Sequence, residues 1–276
     1  MSGVGDASRV VLSACSAGIA GFAAAFTPLA AHTVGVPMTD PGGGDVTDPV
    51  AVITGAASGI GAACAERFRH DGWRIAAIDL HDSDADLAVT ADVRDRAAVT
   101  AAVDEAAARF GRIDLAVTAA GYYEDGIDVA DISHDQWDRM LAVILGGTVN
   151  TFAAVLPHML ARGEGSIVAI SSELALAGSA TDLHYVAAKG AVLGLVKSLA
   201  MEVAQTAIRV NAVAPGPTDT PLLAPDSLSR APEYLATLPL GRLVRPDEIA
   251  SAVYYLATEG SMYCGEVLSP NAGAVI

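Results

Sequence analysis

Tyr185 and Lys189 stand four residues apart in Tyr185-Val186-Ala187-Ala188-Lys189, at the head of a small-residue, helix-favouring run. Residues at i and i+4 share a helix face, so the phenol and the ammonium converge. A phenol titrates at about 10 unaided. A neighbouring cation favours the phenolate and moves it toward working pH, which makes the pair a candidate general acid–base. Ser172 lies upstream at the end of an apolar run, residues 166–171. Its hydroxyl can polarise a substrate carbonyl beside Tyr185.

A second cluster suits phosphate. Thr54-Gly55-Ala56-Ala57-Ser58-Gly59-Ile60-Gly61 follows a strand-like run and opens a helical pattern in which Ile60, Cys64 and Phe68 share a face. Gly55 allows a tight turn, Gly59 lets backbone approach a pyrophosphate, and Gly61 lets helix and strand pack closely. The helix N-terminus offers N–H donors and partial positive charge. Asp79 ends the second strand-like run. A carboxylate there accepts hydrogen bonds from both ribose hydroxyls of an adenosine and repels a 2′-phosphate. Leu80 and His81 follow it, with no adjoining Arg or Lys, so NAD is expected rather than NADP. Asp92 and Val93 end the next strand and have two readings, an adenine contact or an ordinary turn.

The elements that must hold these groups alternate. Strand-like runs occur at Val50–Thr54, Arg74–Asp79 and residues 113–118, 166–171 and 208–213, with weaker ones at 87–91 and 266–268. Helical patterns lie between them. Residues 98–110 are alanine-rich and amphipathic. Ser133 to Gln136 reads as a capping box opening a helix toward Leu160. Pro246-Asp247-Glu248 opens another, with proline in the first turn and acids near the N-terminus. Strands separated by helices predict right-handed βαβ units and an α/β, doubly wound parallel sheet of Rossmann type over residues 48–276.

Residues 1–47 form a distinct extension. Arg9 precedes an apolar run, residues 10–26, then Pro28, Pro37 and a glycine-rich turn, residues 40–45. Three readings stand: synthesis starts at Met38, the extension is disordered or docked, or it is a targeting segment. A chain starting at Met38 is expected to keep fold and activity, since every motif above lies after Asp48.

The chain has 276 residues with 32 acidic and 16 basic side chains, a formal charge of −16. That field repels nucleic acid and anionic lipid, so neither is expected as a partner. Its 52% hydrophobic content is enough for a large core. Three cysteines, Cys15, Cys64 and Cys264, far apart and odd in number, suggest neither disulfides nor a metal site and fit a reducing cytoplasm.

Together the motifs resemble the short-chain dehydrogenase/reductase family over essentially all of residues 48–276. The carriers are the 54–61 turn, Asp79, Asp92, Ser172, Tyr185-x-x-x-Lys189, Asn211-Ala212-Val213-Ala214-Pro215-Gly216 and the segment from Gly241 to Ala250. The resemblance implies hydride transfer between a nicotinamide and a secondary alcohol or ketone. Tyr185 would be the general acid–base, Lys189 would bind the nicotinamide ribose and lower the tyrosine pKa, and Ser172 would orient the substrate oxygen. Ala120 and Gly121, Pro215 and Gly216, Thr218 and Thr220 would flank the cofactor. It also implies a homo-oligomer, a tetramer or dimer. The alternatives are a family member using bound cofactor for epimerisation or dehydration, and an NAD-binding regulatory subunit.

Two departures stand out. The family's Asn-Asn-Ala-Gly is here Thr118-Ala119-Ala120-Gly121, where Thr118 is expected to hydrogen-bond across the sheet. The family's active-site Asn falls on Ile144. An Asn amide would bend its helix locally and hold a water near Lys189, and isoleucine is expected to do neither. Asn150 is about 600° further around an ideal helix and faces elsewhere. His184 and Glu173 either line the substrate site or sit at a rim or subunit contact. Tyr122 and Tyr123 are pocket wall or packing. Residues 217–239, with Leu222, Leu223 and Tyr234, resemble a substrate lid whose apolar content suggests an apolar alcohol or ketone.

Overall fold

Val50–Thr54 (β1) is buried along its whole length, as a strand covered by helices on both faces must be. Its side chains alternate between two cores: Ala51 and Ile53 pack into one cluster and Val52 into the other, the period-two pattern of a strand. The computed structural model describes residues 48–124 and 126–276; the expectations for residues 1–47 lie outside the described residues.

The strands are β1, β2 (Arg74–Asp79), β3 (Leu87–Thr90), β4 (Leu115–Thr118), β5 (Glu164–Ile170), β6 (Ala207–Val213) and β7 (Val267–Leu268). They form one seven-stranded sheet in the order β3-β2-β1-β4-β5-β6-β7, with every pairing parallel. The order reverses between β1 and β4. Ligands in such sheets bind at that crevice, outside the carboxyl ends of the strands.

Helices α1 (Gly59–His70) and α8 (Pro246–Thr258) cover one face. Phe68 of α1 is fully buried there, edge-on to Trp73 at 4.9 Å and tilted against Tyr254 at 5.3 Å; burying such a ring contributes about 1.5–3 kcal/mol. Helices α2 (Arg96–Phe110), α3 (His134–Met140), α4 (Gly147–Arg162) and α6 (Leu183–Glu202) cover the other, with a short α5 (Leu174–Ala177) after β5 and α7 (Pro232–Leu235) in the lid. By composition His134–Arg162 could cross a membrane, but its Met140, Ile144, Val155 and Met159 are buried in the core.

Local chemistry explains the boundaries. Helix α2 starts two residues before the alanine-rich pattern because Asp95 Oδ1 accepts the N–H groups of Ala97 and Ala98 at 2.9 and 3.1 Å. The capping box at α3 is present: Gln136 N donates to Ser133 Oγ, and Ser133 N to Gln136 Oε1. Between α3 and α4 the chain does not continue as a plain α-helix. Residues Leu141–Gly146 form a π-helical turn. This corrects the expectation that isoleucine at 144 leaves the helix unbent. Two glycines follow, and Thr148 Oγ1 takes the Ile144 carbonyl at 2.7 Å while Thr151 Oγ1 takes that of Gly147 at 2.8 Å; such back-bonding bends helices without an amide. Gly147 is required here, since a Cβ on it would stand 2.6 Å from Val93 Cγ2.

Candidate active site

At the end of β1 the backbone turns sharply. Gly55 has φ +72°, and a Cβ on it would lie 2.7 Å from Ala120 N. A Cβ on Gly61 would stand 2.0 Å from the Gly55 carbonyl oxygen, so the first turn of α1 folds directly onto the loop. Thr54 Oγ1 accepts the Ala120 N–H at 3.3 Å and ties this turn to the end of β4. Thr118, expected to hydrogen-bond across the sheet, does not: its hydroxyl is buried without a partner.

These residues open onto a groove of about 330 Å³. Ser58, Gly59, Ile60 and Gly61 line it at the head of α1. The Ser58 side chain makes no capping bond, which leaves the first helical N–H groups as donors. Asp79, at the end of β2, lines the groove, as do Ala120 and Gly121 after β4. Asp92 and Val93 also line it, but both Asp92 oxygens are engaged by Arg94, the closest contact being 2.6 Å. Asn150 Nδ2 donates to the Val93 and Arg94 carbonyls at 2.9 and 3.3 Å, a clamp on that loop across 56 residues of sequence. A backbone cradle, a helix N-terminus and a terminal carboxylate suit a dinucleotide. The groove continues into a cavity of about 320 Å³, the two sharing Ile60, Ala119, Gly121, Tyr122, Thr220 and Leu222.

That cavity brings Ser172, Tyr185 and Lys189 together. Ser172 leaves the end of β5, and the other two project from one face of α6. Lys189 is buried and its Nζ donates to the Ile170 carbonyl at 2.8 Å; burial lowers its pKa to about 8. Tyr185 departs from expectation. Burial, and then the nearby Glu173 and Asp182 charges, push its phenol above the usual value, opposed only by the bond to Ser172. The ammonium does not bring it down because Nζ is 5.8 Å from the ring centroid and committed to a carbonyl. Helix spacing placed the two side chains on one face, and burial outweighed the cation.

The residues around this centre sort themselves out. Glu173 is a wall residue: it is buried, lines the cavity, and its Oε2 accepts the Ser172 hydroxyl at 2.9 Å. Desolvation raises its carboxyl. His184 is neither wall nor rim. It is fully buried in the core, with both ring nitrogens lacking a hydrogen bond and Nε2 3.7 Å from Glu124 Oε2. Tyr122 and Tyr123 both line the cavity. Tyr123 stands edge-on to Tyr185 at 4.9 Å, and its hydroxyl donates to Asp182 Oδ2 at 2.9 Å. Asp182, at φ 63° in the left-handed region before α6, was not legible as a site residue, and Asp favours that conformation as readily in any turn.

Beyond β6, Pro215, Gly216, Thr218 and Thr220 line the opposite wall. The Pro215 carbonyl accepts the Glu173 N–H at 2.9 Å. Gly216 packs so closely that a Cβ would meet Asn271 Cα at 2.6 Å. Thr218 Oγ1 donates to the Gly216 carbonyl at 2.7 Å. The lid contributes Leu222, Leu223 and Tyr234. Arg230 fastens it, donating to the Leu223 and Thr220 carbonyls at 3.1 Å each and to Asp219 Oδ1 at 2.7 Å.

Fold and site define an α/β oxidoreductase of the Rossmann type. The comparisons with known proteins agree. A family model described as enoyl-(acyl carrier protein) reductase matches residues 55–274. Cis-4-hydroxycyclohexanecarboxylate dehydrogenase of Sinomonas cyclohexanicum is 38% identical over 237 residues, 81% of this chain and 95% of that protein. A 3-oxoacyl-[acyl-carrier-protein] reductase of Thermotoga maritima is 34% identical over 241 residues, 82% of this chain and 98% of that protein. The ligand-free structure of Thermoplasma acidophilum aldohexose dehydrogenase superposes with a TM-score of 0.75 at 32% identity, covering 83% of this chain and 94% of that one. The chain belongs to the short-chain dehydrogenase/reductase family.

Proposed function

We propose that the protein is an NAD-dependent dehydrogenase/reductase that interconverts an apolar secondary alcohol and its ketone. One observation carries this reading: the Tyr185 phenol and the Ser172 hydroxyl share a cavity that opens directly into the groove ending at Asp79. In this reading a bound nicotinamide accepts or donates the hydride. The chain's own residues do the rest. Ser172 holds the substrate oxygen, and Tyr185 takes or gives the proton at that oxygen. Lys189 holds its ammonium behind the phenol, and Thr220, shared by cavity and groove, is positioned for cofactor. Leu222, Leu223 and Leu228 make the far wall apolar. The Sinomonas relative, named for a secondary alcohol on a saturated ring, supports the substrate class.

NAD over NADP rests on Asp79, whose carboxylate leaves no room for a 2′-phosphate charge. We read the working form as a cytoplasmic homo-oligomer, in which exposed apolar residues such as Val149 and Leu160 on α4 would be covered. The test is a panel of secondary alcohols and ketones followed by NADH absorbance, repeated with NADP(H). Turnover with no member of the panel despite tight NADH binding overturns the reading.

A further inference from the structure

Tyr185 shares its cavity with a cation, Lys189, and with a hydroxyl–carboxylate pair, Ser172 and Glu173. On the Lys189 side, Nζ donates one hydrogen bond to the Ile170 carbonyl at 2.8 Å. Ile144 Cγ1 and Lys189 Nζ lie 3.8 and 3.9 Å from the point where a Cβ on Gly121 would stand, and Ile144 is buried. An isoleucine side chain therefore stands near the ammonium, and its hydrocarbon neither accepts nor passes a proton. On the other side Ser172 lines the same cavity as the phenol and lowers its pKa, and Ser172 Oγ donates to Glu173 Oε2 at 2.9 Å. Glu173 is 6% exposed, lines the cavity, and has no cation among the groups that bear on its charge.

We propose that Glu173 is the outer end of a proton path, Tyr185–Ser172–Glu173, that carries the proton between the reacting phenol and the cavity water. The proposal rests on the acid–base reading of Tyr185 given above. In the oxidation direction the resting state is a neutral phenol and a Glu173 carboxylate. As the alcohol proton reaches the Tyr185 oxygen, the phenol's own proton passes to Ser172 Oγ, and the Ser172 proton passes to Glu173 Oε2. One O–H bond breaks and one forms at each hydroxyl oxygen, Ser172 stays neutral, and one proton ends on Glu173, which releases it to water. Reduction runs the same path in reverse, and the only redox change is the hydride exchange with nicotinamide. Hydrogen-bonded chains in a low-dielectric site are suited to such coupled shifts.

The other charged or titratable groups do not offer the same outlet. Tyr234 faces Glu173 across the cavity and feels its charge. Asp182 acts on Tyr185, but its oxygens already accept from Tyr123, Thr181 and the Ile127 N–H. Burial raises both the Glu173 carboxyl and the Tyr185 phenol, so each favours the protonated form more than usual.

The experiment compares wild type with Glu173→Gln, Glu173→Asp and Ile144→Asn, and with Glu173→Gln combined with Ile144→Asn. The readouts are kcat and KM across pH in both directions, solvent deuterium isotope effects and NADH titration. NADH binding by Glu173→Gln confirms that it folds. The expected result is a fall in its kcat of about tenfold or more, loss of the acid limb of the oxidation profile, and little change in KM or NADH affinity. Glu173→Asp should fall between the two. Ile144→Asn, which adds an amide beside Lys189, should raise kcat more in the Glu173→Gln background than in wild type. A Glu173→Gln enzyme with the wild-type pH profile, or one altered only in KM, overturns the proposal. A Tyr185→Phe enzyme that keeps its kcat overturns instead the acid–base reading beneath it.

Discussion

Asp79 Oδ2 accepts the backbone N–H of Ala57 at 3.0 Å, while Oδ1 accepts that of His81, also at 3.0 Å. The end of β2 is thereby tied to the phosphate-type turn after β1, and the carboxylate is held at the mouth of the groove rather than free to swing away. This orientation follows from two backbone donors on different loops.

That fixed carboxylate sets the first prediction. kcat/KM is expected to be higher with NAD(H) than with NADP(H), and Asp79→Ala should narrow the gap. Hydrogen bonds to a charged group contribute about 1.5–3 kcal/mol, so the loss with NAD(H) should be roughly 10- to 100-fold. Steady-state kinetics with both cofactors check this, and equal efficiency in wild type would refute it.

Tyr185→Phe keeps the ring that meets Tyr123 edge-on and removes only the hydroxyl. Turnover should fall by about 10²–10⁴-fold, the usual worth of a general acid–base. NADH affinity, read by fluorescence titration, should stay nearly unchanged. A variant retaining most of its kcat would show that another group moves the proton.

Gly61→Ala places a methyl 2.0 Å from the Gly55 carbonyl oxygen, a backbone atom that cannot step aside without opening the turn. Overpacking of this kind costs about 1–3 kcal/mol. Thermal unfolding should show a lower Tm, and NADH titration a weakened affinity, because the same turn forms the cofactor cradle.

Acid stability should depend on Glu248. Its carboxylate accepts from Arg242 Nη1 and Nη2 at 2.8 and 2.7 Å and from the Arg245 N–H at 2.8 Å, which holds its pKa down at about 2. The folded value lies below the unfolded one, so the contribution is present above an unfolded pKa of about 4.3 and is lost as pH falls toward about 2. The Tm difference between wild type and Glu248→Gln should therefore shrink across that window. Solvent screening keeps the effect modest, since both side chains are partly exposed. A difference that stays constant with pH would rule the ion pair out as the cause.

Much of the site was legible before the structure because its signals are local. The turn at 54–61 shows its glycines in sequence, and the capping residues Ser133 and Gln136 lie within one turn of each other. Tyr185 and Lys189 needed only helical spacing to share the cavity. Less legible were residues whose role depends on what folds over them. His184 adjoins Tyr185 in sequence, yet its position on α6 turns it into the core. Asn150 reads only as facing away from the Ile144 position, and its partner, the Val93 carbonyl, comes from a distant loop.

The sequence by itself determined the alternation of strands and helices, the phosphate-type turn and the identity of the Tyr185, Lys189 and Ser172 trio, since periodicity and i,i+4 spacing are properties of short stretches. The tertiary structure decided how those groups behave. It desolvated the half-buried Tyr185 and raised its phenol where spacing to Lys189 had suggested the opposite. It turned Lys189 Nζ toward the Ile170 carbonyl and aimed Ser172 at Glu173. It also widened the helix at Ile144 without an asparagine. Desolvation and hydrogen-bond direction arise from segments that meet only when the sheet and its helices close around the cavity, and no stretch of sequence carries them alone.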